Sequence, residues 1–308
     1  MKFALIVNPT AGSGSAGRVA PTVQRALERR GIEVTVCPTA GPGDATRFAG
    51  ESRASGADCT VVVGGDGTLN EVCQAYLDAR GEPLAGPPLG IVPAGTGGDF
   101  RKTLELDTDV ERSVERLLGC EPRAFDLGIL SAMDHDGRPV TRAFVNIASF
   151  GLGGLTDRVV NAGPKWLGGR SAFFLGTLRA LIAYRNAAVR VTVDGAVWLE
   201  SPVVNVALAN GRYFGGGMQI APEADPTDGL LDVVALGDLT RLGTVALTQS
   251  VYTGTHLDKA SVEHTRGRVI EAEPLVPGAE VLIDLDGETP GRLPLAARVA
   301  AGALWLRA

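Results

Sequence analysis

Through its first 125 residues the chain alternates short apolar runs with longer stretches whose apolar positions recur every three or four residues. The runs are FALIV (3–7), IEVTVC (32–37), CTVVV (59–63) and LGIV (89–92). Between and after them lie Arg18 to Arg30, TLNEVCQAYLDA (68–79) and DVERSVERLLG (109–119), which carry helical periodicity. Buried strands alternating with helices of this length predict βαβ units and a parallel sheet. Gly31 and Gly81 follow two of the helices, where a left-handed C-cap is expected. After about residue 125 the rhythm changes. RAFDLGIL, RAFVNIAS, AVRVTV, PVVNVALAN, LDVVAL, RVIEAE, EVLIDLDGE and GALWLRA follow one another, many alternating apolar with polar residues. Helical patterns interrupt them only near 164–185 and 240–253, so the second part reads as mostly antiparallel β.

A chain of 308 residues is long enough for two domains, each with its own core. With no long linker or low-complexity tract to divide them, the pattern predicts an α/β domain over 1–125 and a β-rich domain over 126–294. Composition narrows the class further. At 45% hydrophobic and 21% charged with 41 glycines, the chain reads as globular and rich in tight turns. A formal net charge of −6 argues against a nucleic-acid binder, which needs basic surface to neutralise phosphates.

Cys37, Cys59, Cys73 and Cys120 form no C-x-x-C pair and are read as reduced thiols. His135, His256 and His264 show no metal-ligand spacing and are read as surface residues. The apolar run from Phe3 to Val7 is too short for a signal peptide, and no segment reaches the ~18 apolar residues of a membrane span, so a cytoplasmic location is expected.

Three glycine clusters, Gly12 to Gly17, Gly64 to Gly67 and Gly95 to Gly98, each come just after a predicted strand. That places all three at the carboxyl edge of the sheet, where open α/β folds bind ligands. The first, GSGSAG, has the G-x-G-x-x-G spacing of a dinucleotide-binding turn. A Rossmann turn, however, follows its strand directly and has an acid about 20 residues on at the end of the second strand. Here Asn8-Pro9-Thr10 intervenes and the second strand ends Cys37-Pro38-Thr39, so a phosphate-binding loop of another kind is favoured over a Rossmann or purely structural turn.

The second cluster, VVVGGDGTLNEV (61–72), sets Asp66 inside a glycine turn. Gly64, Gly65 and Gly67 permit close backbone approach to a nucleotide, Thr68 offers a hydroxyl at a helix start, and Asp66 suits a phosphate-bound Mg²⁺ or a capping role. The third, IVPAGTGGDFRKTL (91–104), repeats the logic with Thr96 and Asp99. No G-x-x-x-x-G-K-[ST] is present, which argues against a P-loop mechanism.

Taken together, VNPTAGSG (7–14), Thr39 with Asp44-Ala45, GGDGTLNEV (64–72), PAGTGGDF (93–100), FDLG (125–128), FVNIASFGLGG (144–154), NGRYFGGGMQIAPEADPTDGLLDVV (210–234) and LDGE (285–288) resemble the diacylglycerol kinase catalytic-domain family. That family includes bacterial lipid kinases, sphingosine kinases and ceramide kinases. GGDGT alone is shared with NAD kinases and phosphofructokinase-like proteins; the later elements make the resemblance specific.

The resemblance implies an NAD kinase-like α/β nucleotide domain and a β-sandwich-like C-terminal domain, with ATP at their junction and the last strand, about 295–308, returning to the first domain. By motif position, Asn8, Pro9, Thr10, Ala11 and Gly12, then Thr39, Gly64, Gly65, Asp66, Gly67, Thr68, Glu71 and Thr96 would contact ATP. Asp66, Asp99 and Asp126 would organise Mg²⁺ and its waters. Glu288, supported by Asp286, would be the general base for a lipid hydroxyl. A second, structural Mg²⁺ would be held by Asp228 and by the carbonyls of Asp225 and Leu230.

The implied activity is ATP- and Mg²⁺-dependent phosphorylation of a diacylglycerol-like or sphingoid acceptor at the membrane surface. An NAD kinase activity and a non-catalytic regulator are the alternatives, and a homodimer is left open. The chain departs from the family where Gly98 precedes Asp99, since the usual residue is Asn. From Arg158 to Thr192 six basic residues occur with Trp166, Phe173, Phe174 and Tyr184 and without an acid. That pattern suits an interfacial helix or a packed interdomain one.

Overall fold

The computed structural model describes residues 1–95, 98–161 and 184–308. Thr96, the 164–185 helical pattern and most of the basic, aromatic 158–192 segment lie outside those residues. The chain divides into two compact units: Met1–Leu127 with Ala300–Ala308, and Gly128–Val299.

The first unit runs β1 (Lys2–Val7), α1 (Ala11–Glu28), β2 (Glu33–Pro38), α2 (Asp44–Ala54), β3 (Cys59–Gly64), α3 (Asp66–Gln74), β4 (Leu89–Pro93), α4 (Asp99–Thr103), α5 (Val110–Gly119) and the start of β5 (Arg123–Met133). Its strands pair in parallel in the order β2-β1-β3-β4. The end of the chain adds to β4, with Leu306 opposite Leu89 and Arg307 opposite Gly90. Every residue of β3 is buried, as expected of a β-branched run covered on both faces. Helix α1 buries Ala16, Ala20, Val23, Ala26 and Leu27, a stripe at helical spacing that packs with Leu5, Val7, Val61 and Val63 in one core. Asp109 caps α5 by accepting a hydrogen bond from the Arg112 N–H at 3.0 Å.

Periodicity does not predict helix α2. It buries only Ala45, Ala49 and Ser52, residues too small and too weakly apolar to mark a stripe in the sequence. Gly31 has φ near +78°, as the expected left-handed cap of α1 requires. Gly81, at +77°, is not a helix cap: α3 ends at Gln74 and is closed by Ala75, and Gly81 instead donates its N–H to the Asp78 carbonyl in a turn.

The second unit continues with β6 (Pro139–Phe144), β7 (Ile147–Gly151), α6 (Leu152–Asn161), β8 (Ala187–Val193), β9 (Ala196–Val203), β10 (Asn205–Ala209), β11 (Leu231–Leu236), α7 (Arg241–Tyr252), β12 (Val262–Gly267), β13 (Val269–Pro274), β14 (Ile283–Leu285) and β15 (Arg292–Arg307). One antiparallel sheet has the order β12-β11-β10-β7-β14, and β15-β13-β8-β9 pair antiparallel in another. Phe150, Val206, Leu208 and Val233 of the first sheet share a core with Val189, Val191, Ile270 and Leu295 of the second. On its other face the first sheet presents Ile147, Ala207 and Val234 to Leu247 and Val251 of α7. The parallel-sheet unit and the antiparallel β unit are the fold class that the sequence predicts.

Two details differ from the sequence reading. RAFVNIAS is not one strand: β6 ends at Phe144 and β7 begins at Ile147, because the amides between them turn toward the Asp286 carboxylate instead of a neighbouring strand. His256 is fully buried, not on the surface. Its Nε2 lies 3.0 Å from the Ile220 carbonyl, which can only accept, so Nε2 carries the proton. The four cysteines are free thiols, with Cys59 and Cys73 buried and Cys37 and Cys120 half-buried. Among the described residues, no helix is long and apolar enough to cross a membrane.

Candidate active site

All three glycine loops meet in the first unit. Asn8, just after β1, donates its backbone N–H to the Val63 carbonyl at 3.2 Å. Its Oδ1 accepts from the Thr10 N–H and hydroxyl at 3.2 and 2.9 Å, and its Nδ2 donates to the Thr68 hydroxyl at 3.3 Å. One side chain thus joins the first loop to the start of α3. Gly12, at φ +60°, lies so near the third loop that a Cβ would stand 2.2 Å from the Ala94 carbonyl oxygen. Gly95 is equally tight against the second loop, where a Cβ would stand 2.6 Å from Gly65 Cα. At these two positions no larger residue fits without moving backbone.

The N-terminus of α3 has no side-chain cap. Its first amides therefore point outward with the positive end of the helix dipole, a setting suited to phosphate oxygens. Gly64, Gly65 and Asp66 border a hollow there whose apolar wall is Leu69, Ile91 and Phe100, with Arg101 at its edge. Thr39 continues the β1–β2 pairing by donating its N–H to the Val7 carbonyl at 2.8 Å, which keeps it at the same sheet edge.

The acids take distinct positions. Asp66 Oδ2 accepts the Asp99 N–H at 2.6 Å. Asp99 is buried, and its Oδ1 pairs with the Lys102 ammonium at 2.6 Å. Asp126 is also buried and accepts the Gly302 N–H at 2.8 Å, tying β5 to the returning end of the chain. Glu71 turns to α2: its two carboxylate oxygens accept the Gly43 and Ala45 N–H groups at 2.7 and 3.1 Å. It supplies the cap that Gly43 cannot. Lys102 was missed by the sequence reading, although its i,i+3 spacing from Asp99 was visible. The Gly302 contact joins residues too far apart in sequence for any local signal.

In the second unit, Leu285 and Glu288 exchange backbone hydrogen bonds of 2.8 and 3.0 Å. Asp286 and Gly287 between them have φ of 51° and 91°, the positive pair that a tight Asp-Gly hairpin turn requires. Glu288 is exposed. Asp286 is not: its carboxylate accepts the N–H groups of Val145, Asn146 and Ile147 at 2.9, 3.2 and 2.9 Å. Buried Asp284, also missed, accepts the Gly287 N–H at 2.9 Å and the Ser149 hydroxyl at 3.2 Å.

Among the described residues, no three His, Cys, Asp or Glu side chains converge as a ready-made metal cage. For Asp66, Asp99 and Asp126 this is compatible with Mg²⁺, which keeps several waters and is commonly held by one or two carboxylates together with substrate phosphates. The 225–230 loop is different. Asp225 Oδ1 accepts the Thr227 N–H and hydroxyl at 3.0 and 2.7 Å. Asp228 Oδ1 accepts the Leu230 N–H at 3.0 Å, and Asp228 Oδ2 is paired with the Arg266 guanidinium. The carboxylate that the family resemblance assigns to a structural Mg²⁺ is engaged on both oxygens, so this donor set does not fit the ion.

Residues 2–130 match the diacylglycerol kinase catalytic domain, and residues 146–308 match the YegS C-terminal NAD kinase beta sandwich-like domain. A diacylglycerol kinase of Mycobacterium tuberculosis is 28% identical over 292 residues, covering 94% of this chain and 90% of the relative. A probable lipid kinase YegS-like protein of Xanthomonas axonopodis pv. citri is 34% identical over 264 residues, covering 85% and 82%. The crystal structure of a Bacillus anthracis protein assigned as a diacylglycerol kinase superposes with a TM-score of 0.77 at 26% identity, covering 99% of this chain and 94% of that one. An NAD kinase of Archaeoglobus fulgidus in complex with ATP, at a TM-score of 0.53 and 14% identity over 100% and 94%, shares the fold.

Proposed function

The chain belongs to the diacylglycerol kinase family of lipid kinases and is itself a kinase; from that premise we propose that it transfers the γ-phosphate of ATP to the hydroxyl of a diacylglycerol-like or sphingoid lipid. The observation that carries this reading is the meeting of three glycine loops beside the uncapped N-terminus of α3, with Asp66 at its first position.

In this reading the first unit binds the nucleotide. The α3 amides take phosphate oxygens, while Asn8, Pro9, Thr10, Ala11, Gly12, Thr39, Gly64, Gly65, Gly67 and Thr68 border the rest of it; Thr96 is assigned to the nucleotide by its motif position alone. Glu71 acts one step removed, by fixing α2. Mg²⁺ bound with the nucleotide would neutralise phosphate charge, with Asp66, Asp99 and Asp126 as its carboxylates and water partners. Phosphoryl transfer asks for positioning and charge neutralisation more than for covalent help.

The second unit bears the acceptor chemistry. The exposed Glu288 carboxylate takes the proton of the acceptor hydroxyl as its oxygen bonds to the γ-phosphorus and ADP leaves. Asp286 sets the position of that glutamate by anchoring its turn. A lipid acceptor implies that the kinase works at a membrane surface.

The test is transfer of labelled γ-phosphate from ATP and Mg²⁺ to a panel of micelle-dispersed lipids, with Glu288→Gln as control. A labelled lipid formed only by the unmutated protein is the expected result and identifies the acceptor. Labelling of no lipid, despite measurable ATP binding, would overturn the proposal.

A further inference from the structure

The loop between Asp225 and Leu230 lies between two arginines. Arg212 Nε donates to the Ala224 carbonyl at 3.0 Å on one side. On the other, Arg266 of β12 stands directly opposite Asp232 of β11 in the antiparallel register. Its Nε reaches Asp232 Oδ2 at 3.2 Å, and its terminal nitrogen pairs with Asp228 Oδ2. One guanidinium therefore bridges a carboxylate in the loop to a carboxylate on the strand that follows it. The fork of an arginine suits this task, because its N–H groups point at two acceptors in fixed directions.

A divalent ion at the same place would need several oxygens turned toward it. Here Asp228 offers neither oxygen, as its second accepts the Leu230 N–H. Asp225 Oδ1 is likewise turned inward, to Thr227. To admit an ion, Arg266 would have to leave Asp232, which is buried. A buried carboxylate stripped of its partner is strongly disfavoured. Glu223 adds further negative charge near Asp232, which favours a cation at this corner of the unit.

We propose that Arg266 is that cation: its guanidinium takes the place of a structural divalent ion in fixing the 225–230 loop, and the fold of this unit is independent of metal. The proposal concerns the fold alone and stands whether or not the kinase reading of the active site holds.

Thermal unfolding of the full-length, nucleotide-free protein tests it, with EDTA or with millimolar Mg²⁺ or Ca²⁺. The unmutated protein is expected to unfold at one temperature in all three. Arg266→Ala should unfold several degrees lower in EDTA and regain part of the loss with Ca²⁺ or Mg²⁺, because Asp228 and Asp232 are then released to bind the ion. Adding Asp228→Asn should abolish that regain. If Arg266→Ala does not fold, Arg266→Lys keeps the charge and should fold without metal at a modestly lower temperature.

A fall in the unfolding temperature of the unmutated protein on EDTA treatment, removed by Asp228→Asn, would overturn the proposal. So would an Arg266→Ala protein as stable as the parent in EDTA. An EDTA effect that survives Asp228→Asn would likewise contradict the metal independence of the fold and overturn the proposal.

Discussion

The Asp66 carboxylate accepts the backbone N–H of Asp99 at 2.6 Å, so the acid at the start of α3 also fixes the start of α4. Charge and scaffold are therefore joined in one side chain, and substitutions can separate them. Asp66→Asn removes the charge while keeping an oxygen able to accept the Asp99 amide. Its unfolding temperature should stay close to that of the parent, while kcat/KM falls by roughly 10²–10³, the usual cost of losing an electrostatic contact to the transition state. Asp66→Ala should lose both. Steady-state kinetics beside thermal unfolding reads the two effects; unchanged kcat/KM in Asp66→Asn would remove the acid from the mechanism.

Gly98 stands where the family resemblance places Asn, and the backbone explains why the exchange is tolerated. Its φ and ψ of 60° and 52° are left-handed, the region that glycine enters freely and asparagine more readily than other residues. The three nearest atoms that a Cβ there would meet all belong to the side chain of Arg101, the closest being Nε at 2.8 Å, and that side chain can swing aside. Gly98→Asn should therefore change stability by less than about 0.5 kcal/mol, whereas Gly98→Ala should cost about 1–2 kcal/mol. Urea unfolding of both variants checks this. Equal losses would mean that contacts with Arg101, not backbone conformation, govern the position.

The same contrast between local and long-range causes decides what the sequence reveals. The glycine loops were legible because a strand, a turn and a helix occupy one short stretch each, and their meeting at one sheet edge follows from parallel topology alone. The sandwich was legible from alternating strands. Helix α2 was not, since Ala45, Ala49 and Ser52 give no apolar stripe and its N-terminal cap comes from Glu71 on another helix. The break between β6 and β7 depends on Asp286, about 140 residues away in sequence. The burial of His256 depends on the carbonyl of Ile220. In each case the missing signal is a hydrogen bond to a distant partner, which neither periodicity nor local propensity carries.

His256 makes stability depend on pH. Burial, helped by the nearby His264, holds its folded-state pKa below the ordinary histidine value. The unfolded chain, titrating near about 6.5, therefore takes up the proton first as pH falls. This contribution to stability is complete above that pH and is lost as the pH drops through it toward the lower folded-state value, with a slope of at most about 1.4 kcal/mol per pH unit. Denaturant unfolding from neutral to mildly acidic pH should show the decline. His256→Gln, which keeps an N–H for the Ile220 carbonyl, should flatten it. A slope unchanged by the substitution would assign the acid sensitivity to other groups.

Asp286 and Glu288 sit two residues apart in one turn, yet their substitutions should read out differently. Asp286 accepts three backbone N–H groups, and Asp286→Asn would turn an NH₂ group toward at least one of them. A donor left facing a donor costs about 1–3 kcal/mol, so this variant should lose stability and turnover together as the turn loosens. Glu288 is exposed, and Glu288→Gln should leave stability within about 0.5 kcal/mol, as surface substitutions usually do. Its turnover should nonetheless fall by ~10²–10⁴, the range expected for a lost general base, with ATP binding retained. The pair thus separates proton transfer from the geometry that supports it. Full turnover in Glu288→Gln would leave the acceptor hydroxyl to be deprotonated by another group, and Asp286 would then act only as the anchor of the β6–β7 connection.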